Sequence, residues 1–127
     1  MRVLLVDDSL FVRSCLRRII EGAGYIVVGE AGNGSEAVEV YTRTRPDVVT
    51  MDITMPEVDG LEAIKIIKEI DSEAKIVVIT AMGLEPTMRE AFSRGARGFI
   101  TKPFLPDKVI KELEAVTSAG NKTTGRN

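Results

Sequence analysis

Histidine and tryptophan are absent from this sequence, and cysteine occurs once, at Cys15. One cysteine excludes a disulfide framework and any Cys-x-x-Cys redox or zinc chemistry. Without histidine there is no Ser-His-Asp or Cys-His catalysis and no imidazole ligand for a metal. Any chemistry here must use carboxylates, lysine and hydroxyls. Basic charge is scarce too, with 17 Lys+Arg against 19 Asp+Glu. Residues 120–127 hold two of those bases, Lys122 and Arg126, and no acid. The remainder is therefore mildly acidic, which argues against a nucleic-acid partner, since neutralising phosphates needs a basic patch. No apolar run approaches the roughly 18 residues of a membrane span. Met1-Arg2-Val3 does not open a signal peptide. A cytoplasmic protein with no membrane partner is expected.

What is present is a repeating pattern. A chain of 127 residues makes one domain and can bury about two-thirds of its unfolded surface. Five short apolar runs occur at 3–6, 25–28, 47–51, 75–80 and 97–101. Val and Ile dominate them without strict alternation, which is how strands buried on both faces read. Between them the apolar period is near 3.6. Phe11, Cys15 and Ile19 form one row, with Val12 and Leu16 beside it. Leu61, Ile64 and Ile67 form a second, and Val109, Leu113 and Val116 a third.

Punctuation agrees with this reading. Gly22 and Gly24 stop the first helix, and Pro46 separates the second helix from the third strand. Asp59 and Glu62 have capping-box spacing, and Pro86 and Pro106 suit first turns. Such βα alternation predicts an α/β fold. It is a flavodoxin-like (βα)5 doubly wound parallel sheet of order 2-1-3-4-5, joined by right-handed crossovers. Residues 1–119 form the domain and 120–127 a flexible polar tail.

Ligands of open α/β sheets bind beyond the carboxyl ends of the strands, at the switch point. Strand 1 ends in Asp7-Asp8, strand 3 in Asp52, strand 4 in Thr80 and strand 5 in Thr101-Lys102-Pro103. In the order 2-1-3-4-5 these four strands are neighbours, so three carboxylates, a hydroxyl and an ammonium converge. Clustered carboxylates repel unless a cation joins them. Oxygen-only donors select a hard cation and point to Mg2+, which favours sites that also offer phosphate oxygens. Lys102 suits a phosphoryl oxygen, Thr80 can donate to another, and an aspartate can accept a phosphoryl group covalently. The set reads as a phosphoryl-transfer site with Asp52 as nucleophile. Singly, Asp7 or Asp8 could be a helix cap, Thr80 a strand end and Lys102 a surface lysine. Asp52 directly follows Val48-Val49-Thr50-Met51, where an unpaired charge would be costly. The stretch Gly32-Asn33-Gly34-Ser35-Glu36-Ala37 matches the dinucleotide fingerprint G-x-G-x-x-A. It follows an edge strand away from the switch point, so it reads as a turn before a helix.

These residues resemble the receiver domains of two-component response regulators. The resemblance is carried by Val3-Leu4-Leu5-Val6-Asp7-Asp8-Ser9, by the stretch from Pro46-Asp47 through Met51-Asp52-Ile53-Thr54-Met55-Pro56 to Asp59-Gly60, by Ile79-Thr80-Ala81, and by Gly98-Phe99-Ile100-Thr101-Lys102-Pro103-Phe104. It spans about residues 1–117 and is closest to single-domain chemotaxis members. The resemblance implies that Asp52 accepts a phosphoryl group from the phosphohistidine of a CheA-like histidine kinase. It implies Mg2+ held by Asp8, Asp52 and the Thr54 backbone carbonyl, with Asp7 assisting through water. Lys102 and the Thr80 hydroxyl would hold phosphoryl oxygens, and the Lys102–Pro103 bond is often cis in the family.

Thr80 and Phe99 would form a switch that alters the face made by helix 4, strand 5 and helix 5. Thr54 and Met82 would flank the path of the hydrolytic water. The implied partners are the kinase, a flagellar motor switch protein and a phosphatase, for a monomer that is a regulator and not an enzyme. A receiver of a phosphorelay or of a larger regulator is the alternative. Aspartyl phosphatases place a second Asp two residues after the nucleophile; Thr54 stands there instead.

Overall fold

The computed structural model describes residues 1–55, 60–81 and 85–122, with side chains described to residue 118. The elements alternate as β1 (Arg2–Val6), α1 (Leu10–Gly22), β2 (Ile26–Ala31), α2 (Gly34–Thr44), β3 (Val48–Met51), α3 (Gly60–Ile70), β4 (Ile76–Thr80), α4 (Glu85–Ser93), β5 (Gly98–Thr101) and α5 (Pro106–Lys122). All pairings are parallel and the sheet order is β2-β1-β3-β4-β5, as the alternation predicts. Helix α5 ends at Lys122, so 120–122 continue it, while the rest of the expected tail lies outside the described residues. No helix among the described residues is long and apolar enough to cross a membrane.

The inner strands bury both faces. Leu4, Val6, Val49, Met51, Ile76 and Val78 pack on the side of α2 and α3 with Val40, Ile64 and Ile67. The alternate residues Val3, Leu5, Val48, Val77, Ile79 and Ile100 pack with Leu16 and Ile20 of α1 and Val109, Leu113 and Val116 of α5. This two-sided burial removes strict alternation from the strand sequences. Each such side chain contributes about 1.5–3 kcal/mol.

Two expectations need correcting. Strands β2 and β5 are not buried on both faces, because they lie at the two sheet edges: Ile26 is 61% exposed and only Ala31 of β2 is buried, while in β5 Phe99 is half-buried and Thr101 exposed. In α1 the sheet-facing row is Val12, Leu16, Ile19 and Ile20, whereas Phe11 is 77% exposed and Cys15 partly so. The apolar stripe of α1 is wider than its contact with the sheet, and Phe11 falls outside the packed row.

The helix ends follow local chemistry. The Ser9 hydroxyl caps α1 by accepting from the Val12 N–H, and Gly24 turns away with φ +88°. The expected capping residue Asp59 lies outside the described residues. A comparable pair stands at α2, where Asn33 Oδ1 accepts from the Glu36 N–H and Glu36 Oε1 accepts from the Gly32 N–H. The dinucleotide-like stretch is thus a helix cap. Pro106 opens α5, and Pro86 is the second residue of α4.

Candidate functional site

The sheet register builds the site. Val6 pairs with Met51, so the next residues, Asp7 and Asp52, leave adjacent strands side by side. The Asp52 N–H donates to the Val6 carbonyl at 3.0 Å, and the Asp7 N–H to the Ala31 carbonyl at 3.0 Å. Thr80 pairs with Thr101, and the Lys102 N–H donates to the Thr80 carbonyl at 2.9 Å. The Lys102–Pro103 peptide is cis. Gly60 lets α3 approach closely: a Cβ there would sit 2.2 Å from the Asp52 carbonyl oxygen.

Lys102 ties the two buried acids together. Its Nζ lies 2.8 Å from Asp7 Oδ2 and 3.3 Å from Asp52 Oδ2. Asp7 is 2% exposed and Asp52 3%, whereas Asp8 is exposed. One carboxylate oxygen from each of Asp7, Asp8 and Asp52 lies within 4.8 Å of the others. Asp7 Oδ1 also accepts the Ser9 N–H at 2.9 Å. Asp52 Oδ1 accepts both the Thr54 N–H at 3.0 Å and the Thr54 hydroxyl at 2.9 Å.

Burial pushes the Asp7 carboxyl above its ordinary range; the Lys102 and Ser9 hydrogen bonds oppose this, and the Asp52 charge adds to it. Burial works against the Lys102 ammonium, but the Asp7 hydrogen bond and the Asp52 charge outweigh it, and its pKa is raised. Lys102 is therefore a firm cation, yet one ammonium faces two buried carboxylates and a third at the rim. This all-oxygen donor set fits a hard divalent cation such as Mg2+, and the adjoining ammonium is a charge suited to a phosphoryl oxygen.

Thr80 ends β4 fully buried. Phe99 is half-buried on the α2–α3 side of the sheet, its ring centroid 6.4 Å from that of Phe92. Met82 lies outside the described residues. Asp7, Asp8, Asp52 and Lys102 thus meet, with Thr54 bonded to Asp52. Sequence reasoning missed the Thr54 side-chain bond to Asp52. It also missed Arg13, whose Nη1 donates to the Asp7 carbonyl at 2.5 Å. No residue type marked this contact, because its acceptor is a backbone carbonyl.

The chain matches the model of the response regulator receiver domain over residues 3–114. It is 54% identical over 116 residues to the chemotaxis protein CheY of Thermotoga maritima, covering 91% of this chain and 97% of that one. It is 47% identical over 112 residues to CheY of Bacillus subtilis, covering 88% and 93%. Among solved structures it resembles one chain of the CheX-CheY-BeF3-Mg2+ complex from Borrelia burgdorferi. The TM-score there is 0.89 at 36% identity, covering 91% of this chain and 88% of that chain. With the strand order and acidic edge already established, the chain belongs to the response regulator receiver domain family and is a CheY-like receiver.

Proposed function

We propose that this receiver takes a phosphoryl group on Asp52 from the phosphohistidine of a CheA-like histidine kinase. The observation that carries this is the pair of buried carboxylates sharing the Lys102 ammonium, with a third carboxylate within reach. A carboxylate oxygen of Asp52 forms a bond to phosphorus while the P–N bond breaks, and its electron pair returns to the donor imidazole. Asp8, Asp52 and the Thr54 carbonyl would hold Mg2+ directly, and Asp7 through water. Bound Mg2+ supplies positive charge for the phosphoryl oxygens. Lys102 neutralises one phosphoryl oxygen and gives up its contact with Asp52 to do so. The Thr80 hydroxyl donates to another. Water returns the aspartate by hydrolysis, so the chain is a regulator acting only on its own residue.

The phosphoryl group adds about two negative charges. Thr80 moves toward them, Phe99 turns into the space released, and the face of α4, β5 and α5 changes its affinity. Such coupling is typically about 1–3 kcal/mol. The downstream partner is a flagellar motor switch protein, and a phosphatase ends the signal, in the cytoplasm, on a monomer. The test is intact mass after incubation with MgCl2 and acetyl phosphate. One phosphoryl increment is expected, lost with EDTA and absent in Asp52→Asn. An increment that survives in Asp52→Asn would refute the assignment. The motor partner is tested by retention of purified switch proteins on the beryllofluoride-activated form; retention equal to that on the unactivated form would refute it.

A further inference from the structure

Every polar atom of Asp7 is engaged: the N–H with the Ala31 carbonyl, Oδ1 with the Ser9 N–H, Oδ2 with Lys102, and the carbonyl with Arg13 Nη1 at 2.5 Å. That last bond fixes the peptide plane joining Asp7 to Asp8. Asp8 is exposed and has no side-chain partner among the described residues. Its direction is therefore set by its backbone. Arg13 is in turn held on β2, where its Nε donates to Glu30 Oε1 at 2.8 Å. Glu30 Oε2 accepts from Arg17 at 2.9 Å. The Arg13 side chain is only 17% exposed and that of Glu30 25%. Burial disfavours the Glu30 carboxylate, but the Arg13 and Arg17 hydrogen bonds prevail and hold it below its usual range. A planar guanidinium suits this task, because its separated N–H groups can reach two acceptors at once.

We infer that Arg13, held by Glu30, is a positioning residue for the cation site. It clamps the Asp7–Asp8 peptide so that the Asp8 carboxylate points toward Asp52 in the free protein. The inference rests on the Mg2+ reading of the acidic cluster given above. It also makes a prediction of unusual sign. A cation beside a cation site repels the incoming metal, so removing Arg13 for its charge alone would tighten Mg2+ binding. Removing it as a clamp weakens binding, because outer partners that orient ligands typically carry 10–100-fold in metal affinity.

The experiment is a MgCl2 titration followed by the backbone amide NMR shifts of residues 7–9 in wild type, Arg13→Met, Glu30→Gln and the double variant. Arg13→Met is expected to raise the Mg2+ Kd about tenfold, with the acetyl phosphate reaction recovering at saturating Mg2+. The double variant is expected to bind as weakly as Arg13→Met alone, since both changes cut one path. An Arg13→Met Kd equal to or tighter than wild type overturns the inference. If Arg13→Met does not fold by circular dichroism, Glu30→Gln decides. Its weakening should persist in about 0.5 M KCl, where a charge effect alone is screened, and its disappearance there overturns the clamp. Wild type that fails to bind Mg2+ sinks the underlying site reading instead, so the two failures are distinct.

Discussion

The two ends of the sheet treat charge in opposite ways. At the amino end, polar groups meet partners from their own chain. The Arg2 N–H donates to Asp47 Oδ2 at 2.7 Å, and its guanidinium to the Thr44 and Arg45 carbonyls at 2.8 Å. The buried Tyr41 hydroxyl donates to Asp71 Oδ2 at 2.8 Å. That bond, with another from the Glu73 N–H, holds the Asp71 carboxyl below its usual range. At the carboxyl end, Asp7 is displaced the other way because burial outweighs its hydrogen bonds; Asp7 and Asp52 share one lysine, with Asp8 close by and unpaired among the described residues. One end is complete as folded. The other is left with surplus negative charge, which is what a site for a divalent cation and a phosphoryl group requires.

Mutations on the two ends should separate accordingly. The largest effect is expected from Lys102→Met, which strips the shared cation from two buried carboxylates and should cost on the order of 3 kcal/mol without Mg2+. Urea unfolding should show that loss and a larger recovery on adding Mg2+ than in wild type. Gly60→Ala drives a Cβ into the Asp52 backbone. It should cost about 2 kcal/mol and slow acetyl phosphate labelling as read by intact mass.

On the amino end, Tyr41→Phe should cost about 1 kcal/mol near neutral pH and leave labelling unchanged. Because the folded Asp71 pKa is lowered, its contribution exists above the unfolded value and fades as pH falls through the folded one. The gap between wild type and Tyr41→Phe should therefore narrow below about pH 4, and urea midpoints across that range check it. The smallest effect, under about 1 kcal/mol, is expected for Glu21→Ala, which removes the exposed partner of Arg17 and should be lost at high salt in the same assay.

How much could be read from the sequence follows the same division. Strands β1, β3 and β4 were legible because burial on both faces demands a run of apolar residues, mostly Val, Leu and Ile. Asp7, Asp52 and Lys102 were legible because a charge directly after such a run needs a reason. Strand β2 and Phe11 misled, since edge exposure and the direction of α1 depend on packing that local periodicity does not encode. Arg13 was hidden because an arginine on an amphipathic helix reads as a solvated face, and its acceptor is a backbone carbonyl that carries no residue signature. The Tyr41–Asp71 bond joins α2 to the residue after α3 and needed the fold to be known first.

The most direct test of the contrast is unfolding free energy against Mg2+ concentration for wild type, Asp8→Asn and Asp71→Asn. Stability of wild type should rise by about 1.4 kcal/mol per tenfold Mg2+ above its Kd. Asp71→Asn should start lower and rise in parallel, while Asp8→Asn should stay flat. A wild type indifferent to Mg2+, or an Asp8→Asn variant that rises alongside it, would contradict the account.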